Sequence, residues 1–313
     1  MHVRTLTPFI FLTILAFTPG HAGADELLPL ASAGDETRPA LSLLQALILG
    51  VVEGATEYLP VSSTGHLLIA EHLMGMSDDP RQKEAADSLA ICIQAGAIMA
   101  VVLLYFGRIQ QMLRGILGHD PSGLRLLINL ITAFFPAGML ALLLKDWIKQ
   151  HSFGVLPVSA ALLAGGILIL IYGLRSTQRT PDGGQEIAEM SWRQALLIGV
   201  MQCLAFWPGF SRSLATILGC RWAGLKMTAS VEFSFLLGLL TLTAATAYEG
   251  LQHGAEIIDH YGIGMPLIAL VTAFAAAVVS VRFMVGSLSK YGLSPFGYYR
   301  IILAIVCVIW LQH

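Results

Sequence analysis

Charge is in short supply in this chain. Only 12% of its 313 residues are Asp, Glu, Lys or Arg, about half the share of an ordinary globular domain. So few polar side chains cannot cover a soluble surface, and a disordered chain is excluded with it. The formal net charge of -2 supplies no basic field, so nucleic acid is excluded as a partner. Cysteine is scarce too. Cys92, Cys203, Cys220 and Cys307 stand apart in apolar stretches, with no CxxC and no neighbouring His. They read as small buried hydrophobes and not as a redox or metal site. What is plentiful is apolar: 56% of the residues are hydrophobic and the mean hydropathy is +0.72. This is the composition of an integral membrane protein.

The N-terminus has the pattern of an export signal. Arg4 supplies a basic start, Phe9 to Phe17 an apolar core, and Ala22-Gly23-Ala24 a small-x-small cleavage site. The nine apolar residues are too few to cross a bilayer, which takes about 20. An uncleaved interfacial anchor is the other reading of residues 1–24. Residues 25–41 read as a polar linker.

Six later stretches are long enough to cross: 88–106, 124–145, 155–174, 229–249, 263–284 and 296–311. Two others are broken. Residues 42–58 run into Pro60 and Ser62-Ser63-Thr64-Gly65, and residues 192–206 run into Pro208-Gly209 and Ser211-Arg212-Ser213. Each is followed by a short helical piece, 63–74 and 211–224. Neither half can cross alone, so each pair is expected to form a re-entrant hairpin. The hairpins are copies. Gln45-Ala46-Leu47-x-x-Gly50-Val51 matches Gln194-Ala195-Leu196-x-x-Gly199-Val200 at an offset of 149, which sets Glu53 on Gln202. Allowing a one-residue deletion, Pro60 falls on Pro208 and Ser63 on Ser211. The expected fold is an all-α polytopic membrane protein built of two repeats, each a re-entrant helical hairpin plus three transmembrane helices. The repeats span 42–174 and 192–313, with a cytoplasmic linker at 175–191. An odd number of crossings per repeat inverts the second relative to the first.

Lys and Arg set the orientation. One side collects Arg108, Arg114, Arg125, Arg175, Arg179, Arg193, Arg221, Lys226, Arg282, Lys290 and Arg300; the other holds Arg38, Arg81, Lys83, Lys145 and Lys149. Eleven against five places the first side in the cytoplasm and the mature termini outside.

Charges inside the membrane cost about 2.5–3.5 kcal/mol each and are functional candidates by default. Glu53 and Glu57 lie four apart, on one helical face. His66 follows the first break and Arg212 lies at the second. A Glu–Arg lock between the repeats would need only one carboxylate. Two carboxylates on adjacent turns repel unless a cation lies between them or one is protonated. That suits an oxygen-ligated divalent cation, Mg²⁺ or Ca²⁺, held by Glu53 and Glu57. Each break also opens a half-helix, whose free N–H groups and positive dipole end attract anions. Two such ends, a guanidinium and a cation suit a phosphate or pyrophosphate. Ser63 and His66, one turn apart, can act as nucleophile and base, or His66 as a proton donor to a leaving group.

The stretch Glu53-Gly54-x-Thr56-Glu57-x-x-Pro60-Val61-Ser62-Ser63-Thr64-Gly65-His66, with Pro208-Gly209-x-Ser211-Arg212-Ser213, resembles the two signature motifs of the undecaprenyl-pyrophosphate phosphatases, the bacitracin-resistance family. The resemblance runs from residue 42 to the C-terminus and takes in Gln94 and Glu232-Phe233-Ser234-Phe235. It implies hydrolysis of a C55 polyprenyl pyrophosphate to the monophosphate and phosphate, usually with a divalent cation. Residues implied in catalysis are Glu53, Glu57, Ser63, His66 and Arg212; those implied around the phosphates are Ser62, Thr64, Gly65, Ser211, Ser213 and Thr216. Attack by Ser63, by His66 or by water stays open. The implied setting is the bacterial inner membrane, with the site facing the periplasm. Leu214 and Cys220 stand where the family often has Gly. Broken helices and inverted repeats are equally the signature of transporters, so a transporter or flippase of an anionic lipid is the rival. Glu232 reads as catalytic or structural alike. The chain is silent on oligomeric state, and a homodimer stays open. His72, His119, His151, His253 and His260 fall at helix ends or in loops and read as solvated.

Overall fold

The computed structural model describes residues 41–76, 80–151, 154–176 and 183–311; the expected export signal and nearly all of the linker after it lie outside them. All described residues belong to one compact unit. It is all-α, with a single pair of bridging residues, Gln185 and Leu225, and no strand among the described residues.

Two helices open the first half. Helix α1 (Leu43–Thr56) starts at Ser42, whose hydroxyl accepts from the Gln45 N–H while the Gln45 side chain accepts from the Ser42 N–H. This reciprocal cap satisfies two of the four orphan donors of the first turn. Helix α2 is Ser63–Leu73. Then come α3 (Pro80–Leu104), α4 (Phe106–Ile116), α5 (Pro121–His151) and α6 (Val155–Ser176). The second half consists of α7 (Trp192–Gln202), α8 (Arg212–Trp222), α9 (Met227–Tyr261), α10 (Gly264–Tyr291) and α11 (Ser294–Leu311), with no counterpart of the short α4 among the described residues. Helix α7 begins with the same reciprocal cap, here between Ser191 and Gln194.

Helices α3, α5, α6, α9 and α10 are long and apolar enough to cross a membrane, while α11 carries a shorter apolar stretch, Ser294–Ile309. One helix escaped the sequence. The expected crossing 88–106 ends at Leu104, the chain turns at Tyr105, and α4 runs on as a short amphipathic helix. Its inner side meets α5 at Gly115, where a Cβ would lie 2.2 Å from the Leu124 nitrogen. Its outer face exposes Phe106, Leu113 and Ile116.

Each hairpin packs against a long helix of the other half. Gly50 of α1 approaches α10 so closely that a Cβ would lie 2.4 Å from the Ala269 carbonyl oxygen; for Gly199 of α7 against Ala133 of α5 the figure is 2.3 Å. Glycine is what permits this backbone-to-backbone contact. Two buried clusters result. Leu49, Leu67, Leu89, Ile93, Ala269 and Ala273 pack around the first hairpin. Leu130, Ala133, Ile198, Cys220, Phe233 and Leu236 pack around the second. The stretch after α6 is not free where it is described: Gln185 exchanges two backbone hydrogen bonds with Gly224 and Lys226, and Glu186 pairs with Lys226 at 2.6 Å.

Candidate active site at the two helix breaks

Both hairpins break in the same way. Ser62 has φ 73° and Ser211 φ 78°, and they alone among the described non-glycine residues have positive φ. An L-residue held there is strained by about 1–3 kcal/mol, strain that clusters at functional sites. Each then caps the helix that follows: the Ser62 hydroxyl accepts from the Gly65 N–H, and that of Ser211 from the Leu214 N–H, at 3.4 and 3.3 Å.

The equivalence corrects the register. Ser211 corresponds to Ser62, at the offset of 149 that also relates the two caps, and no residue is deleted. The prolines are merely staggered by one, because the turn is set by the left-handed serine and not by the proline ring. Ser63 and Arg212 therefore hold the same position, the first of each half-helix, and Leu214 takes the place of Gly65.

Glu57 joins those two residues. Its Oε2 accepts from the Ser63 hydroxyl at 2.6 Å, and its Oε1 from Arg212 Nη2 at 3.2 Å. Arg212 also donates from Nη1 to the Ser234 carbonyl at 3.0 Å and lies over the Tyr58 ring, 5.2 Å from its centre. Its Nε has no partner. The guanidinium occupies a slot that Gly238 leaves open, since a Cβ there would lie 2.1 Å from Nη1. The Glu–Arg contact between the halves is thus present, and the same carboxylate also holds the candidate nucleophile.

Glu53 is only 1% exposed. Gln94 is hydrogen-bonded to it, and Oε1 has no partner. Gln94 in turn accepts from the Thr246 hydroxyl at 3.5 Å, which turns its amide nitrogen toward Glu53. Among the described residues no three His, Cys, Asp or Glu gather as a metal cluster. A carboxylate pair with one orphaned buried oxygen still fits a hard cation that takes one or two carboxylates and completes its shell with phosphate and water.

Both ring nitrogens of His66 bond groups other than Ser63. Its Nδ1 lies 2.7 Å from the Ser62 carbonyl oxygen and its Nε2 2.6 Å from the Tyr299 hydroxyl, with the two rings stacked. A carbonyl only accepts, so Nδ1 carries a hydrogen, and Nε2 of the neutral ring accepts from Tyr299. The expected Ser63–His66 pair is replaced by Ser63–Glu57.

The expected phosphate set divides. Ser63 and Thr64 are half-buried at the break. The hydroxyls of Ser62 and Ser211 serve as caps; Ser213 donates to the Leu59 carbonyl at 2.7 Å, and Thr216 bonds Ser234 and the Arg212 carbonyl. Ser213 and Thr216 are fully buried and join the two breaks and α9 into one body. Leu214 and Cys220, the departures from the family pattern, are fully buried as well. Glu232 pairs with Arg108 at 2.5 Å, tying α9 to α4.

Sequence reasoning missed Arg300 and Tyr299. Arg300 counts by its charge among the cytoplasmic basic residues, but it is fully buried, and its guanidinium reaches both breaks. It lies inside the expected crossing 296–311, so the rule that flags Glu53 as a charge within the membrane applies to it as well. Nine of the eleven cytoplasmic candidates remain when Arg300 and the buried Arg221 are set aside.

Comparison with known proteins adds a further observation. The family model "Bacitracin resistance protein BacA" matches residues 46–306. An undecaprenyl-diphosphatase of Sorangium cellulosum is 43% identical over 269 residues, 85% of this chain and 85% of its own length. Undecaprenyl-diphosphatase 2 of Rhodospirillum rubrum is 41% identical, covering 84% of this chain and 93% of its own. That of Maridesulfovibrio salexigens is 42% identical, covering 86% and 99%.

Proposed function

Because this chain belongs to the bacitracin resistance protein BacA family, we propose that it is an undecaprenyl-diphosphatase, a multi-pass membrane hydrolase that cleaves the phosphoanhydride of a C55 polyprenyl pyrophosphate. The observation that carries this beyond likeness is the contact chain Ser63–Glu57–Arg212, which sets a hydroxyl, its base and a guanidinium side by side at two helix N-termini.

The chemistry follows from those contacts. Ser63 Oγ attacks the terminal phosphorus while its proton passes to Glu57. The bond from that phosphorus to the bridging oxygen breaks, and polyprenyl monophosphate leaves as an anion that needs no proton. Water then opens the phosphoserine, releasing phosphate and returning the proton to Ser63. Arg212 Nε, a donor without a partner, and the N–H groups at the start of α2 and α8 stabilise the charge spreading over the phosphoryl oxygens. A divalent cation, Mg²⁺ or Ca²⁺, would be held by Glu53 and Glu57, and when bound it neutralises pyrophosphate charge. His66 keeps the break in shape through Ser62 and Tyr299. The two hairpins are re-entrant within inverted repeats, and the site opens toward the periplasm of an inner-membrane protein, as the remaining basic residues favour.

The decisive experiment is phosphate release from C55 pyrophosphate by the purified protein in detergent. Release is expected with Mg²⁺ or Ca²⁺, loss on chelation, and recovery when the cation is restored. A folded protein that releases no phosphate but moves the lipid between leaflets would make it a flippase instead.

A further inference from the structure

Among the described residues Arg300 is the largest side chain with no exposure at all, and no described carboxylate lies within ion-pair distance of it. It stands in the first half of α11 and donates to three carbonyl oxygens from three places. Nη1 reaches Pro60 at 3.2 Å; Nη2 reaches Gly209 at 2.8 Å and Ala161 of α6 at 3.2 Å. Pro60 and Gly209 each stand two residues before the left-handed serine that starts a half-helix. Room for the guanidinium comes from Gly165, where a Cβ would lie 2.4 Å from Nη2.

A planar fork can satisfy separate acceptors in fixed directions, which a lysine cannot. A buried charge bonded only to carbonyl dipoles stays unbalanced, and inside a membrane that is costly. It is tolerable where an anion arrives. We propose that Arg300 is a positioning residue for this reaction: it ties the two breaks together so that both half-helix N-termini address one polyanion, and its unbalanced charge adds to the attraction there. This rests on the phosphatase reading for its substrate, but on the hydrogen bonds alone for its geometry.

Three variants test it: Arg300→Gln, Arg300→Lys and Gly165→Ala. The readouts are kcat and KM on C55 pyrophosphate, and equilibrium binding of two polyprenyl lipids that cannot be hydrolysed, a methylene-bridged bisphosphonate and a monophosphonate. Arg300→Gln should lose at least tenfold in bisphosphonate affinity but less than threefold for the monophosphonate, since the lost charge matters more to the higher anion. Arg300→Lys should recover most of that affinity but leave kcat at least tenfold low, because one ammonium cannot hold both breaks. Gly165→Ala keeps the charge and displaces the fork, so kcat should fall at least tenfold with binding nearly unchanged. Should Arg300→Gln not fold, Gly165→Ala still decides. Wild-type kcat in folded Gly165→Ala overturns the positioning role, and equal loss for both lipids overturns the charge. If the wild-type chain hydrolyses nothing yet the binding pattern appears, the phosphatase reading and the positioning role fail, and only the charge of Arg300 as an anion attractor stands. If the wild type binds neither lipid, both fall.

Discussion

The guanidinium of Arg212 fits only because residue 238 has no side chain. Its donors point to the Ser234 carbonyl and to Glu57, two directions that a rigid fork serves and a point charge does not. Gly238→Ala should therefore disable the site from outside it. The added methyl must push the guanidinium off both partners, while the long side chain can swing without disturbing the helices. Turnover should drop by about 10²-fold, equivalent to about 2.7 kcal/mol of barrier, with a melting temperature within a few degrees of wild type. Arg212→Lys should show a loss of the same order in single-turnover hydrolysis, and weaken binding of the bisphosphonate lipid less. Normal turnover in folded Gly238→Ala would mean that the observed pose of Arg212 is not the one that works. If binding collapses in Arg212→Lys while saturated hydrolysis is normal, the guanidinium only holds the anion.

At the scale of elements, the two hairpins are alike in what starts them and in what they lie against. Ser42 with Gln45 and Ser191 with Gln194 cap the first arms; Gly50 against Ala269 and Gly199 against Ala133 dock them. The glutamines of these caps and the docking glycines were legible as matching letters at one spacing. Their partners on α10 and α5 were not, because alanines in an apolar helix carry no mark of what they will touch. Gly50→Val and Gly199→Val should each destabilise the protein by about 1–3 kcal/mol or more through forced separation of packed backbones. Gly250→Val, on α9 with open space around it, should stay within about 0.5 kcal/mol. Thermal melting in detergent reads all three. Equal behaviour of Gly199→Val and Gly250→Val would show that the α7–α5 contact does not hold the fold. Helix α4 was missed for a related reason. Its break at Tyr105 has no proline or serine cap to announce it, and it exists because Gly115 and Gly123 let it lie flat on α5.

For the whole molecule, the count of crossings decides which face each loop takes. If each half is one hairpin and three crossings, as proposed, the α4–α5 connection would lie in the cytoplasm and the far end of α9 in the periplasm. A cysteine at His119 and one at Ala255, both at exposed positions, should then label from opposite sides of intact cells, in a chain lacking its four native cysteines. Labelling of both from one side would remove the inversion and with it the meeting of two half-helix N-termini from opposite halves. The orientation itself rests on the basic residues that remain once the buried Arg300 is set aside.

By itself the sequence determined the class, the two broken helices, and the identity of Glu53, Glu57, Ser63 and Arg212 as residues out of place in an apolar chain. Those are local facts: a charge or a proline in a membrane helix is visible without knowing its neighbours. Only the tertiary structure decided the pairing. Glu57 and Arg212 are separated by 155 positions, His66 and Tyr299 by 233, and Arg300 and Pro60 by 240. Nothing in their spacing says which nitrogen finds which oxygen. Helical periodicity assigns a residue to a face, but the partner across that face is chosen by how whole helices dock. That docking gave Ser63 to Glu57 rather than to His66, and placed Arg300 between the breaks rather than on the basic cytoplasmic side.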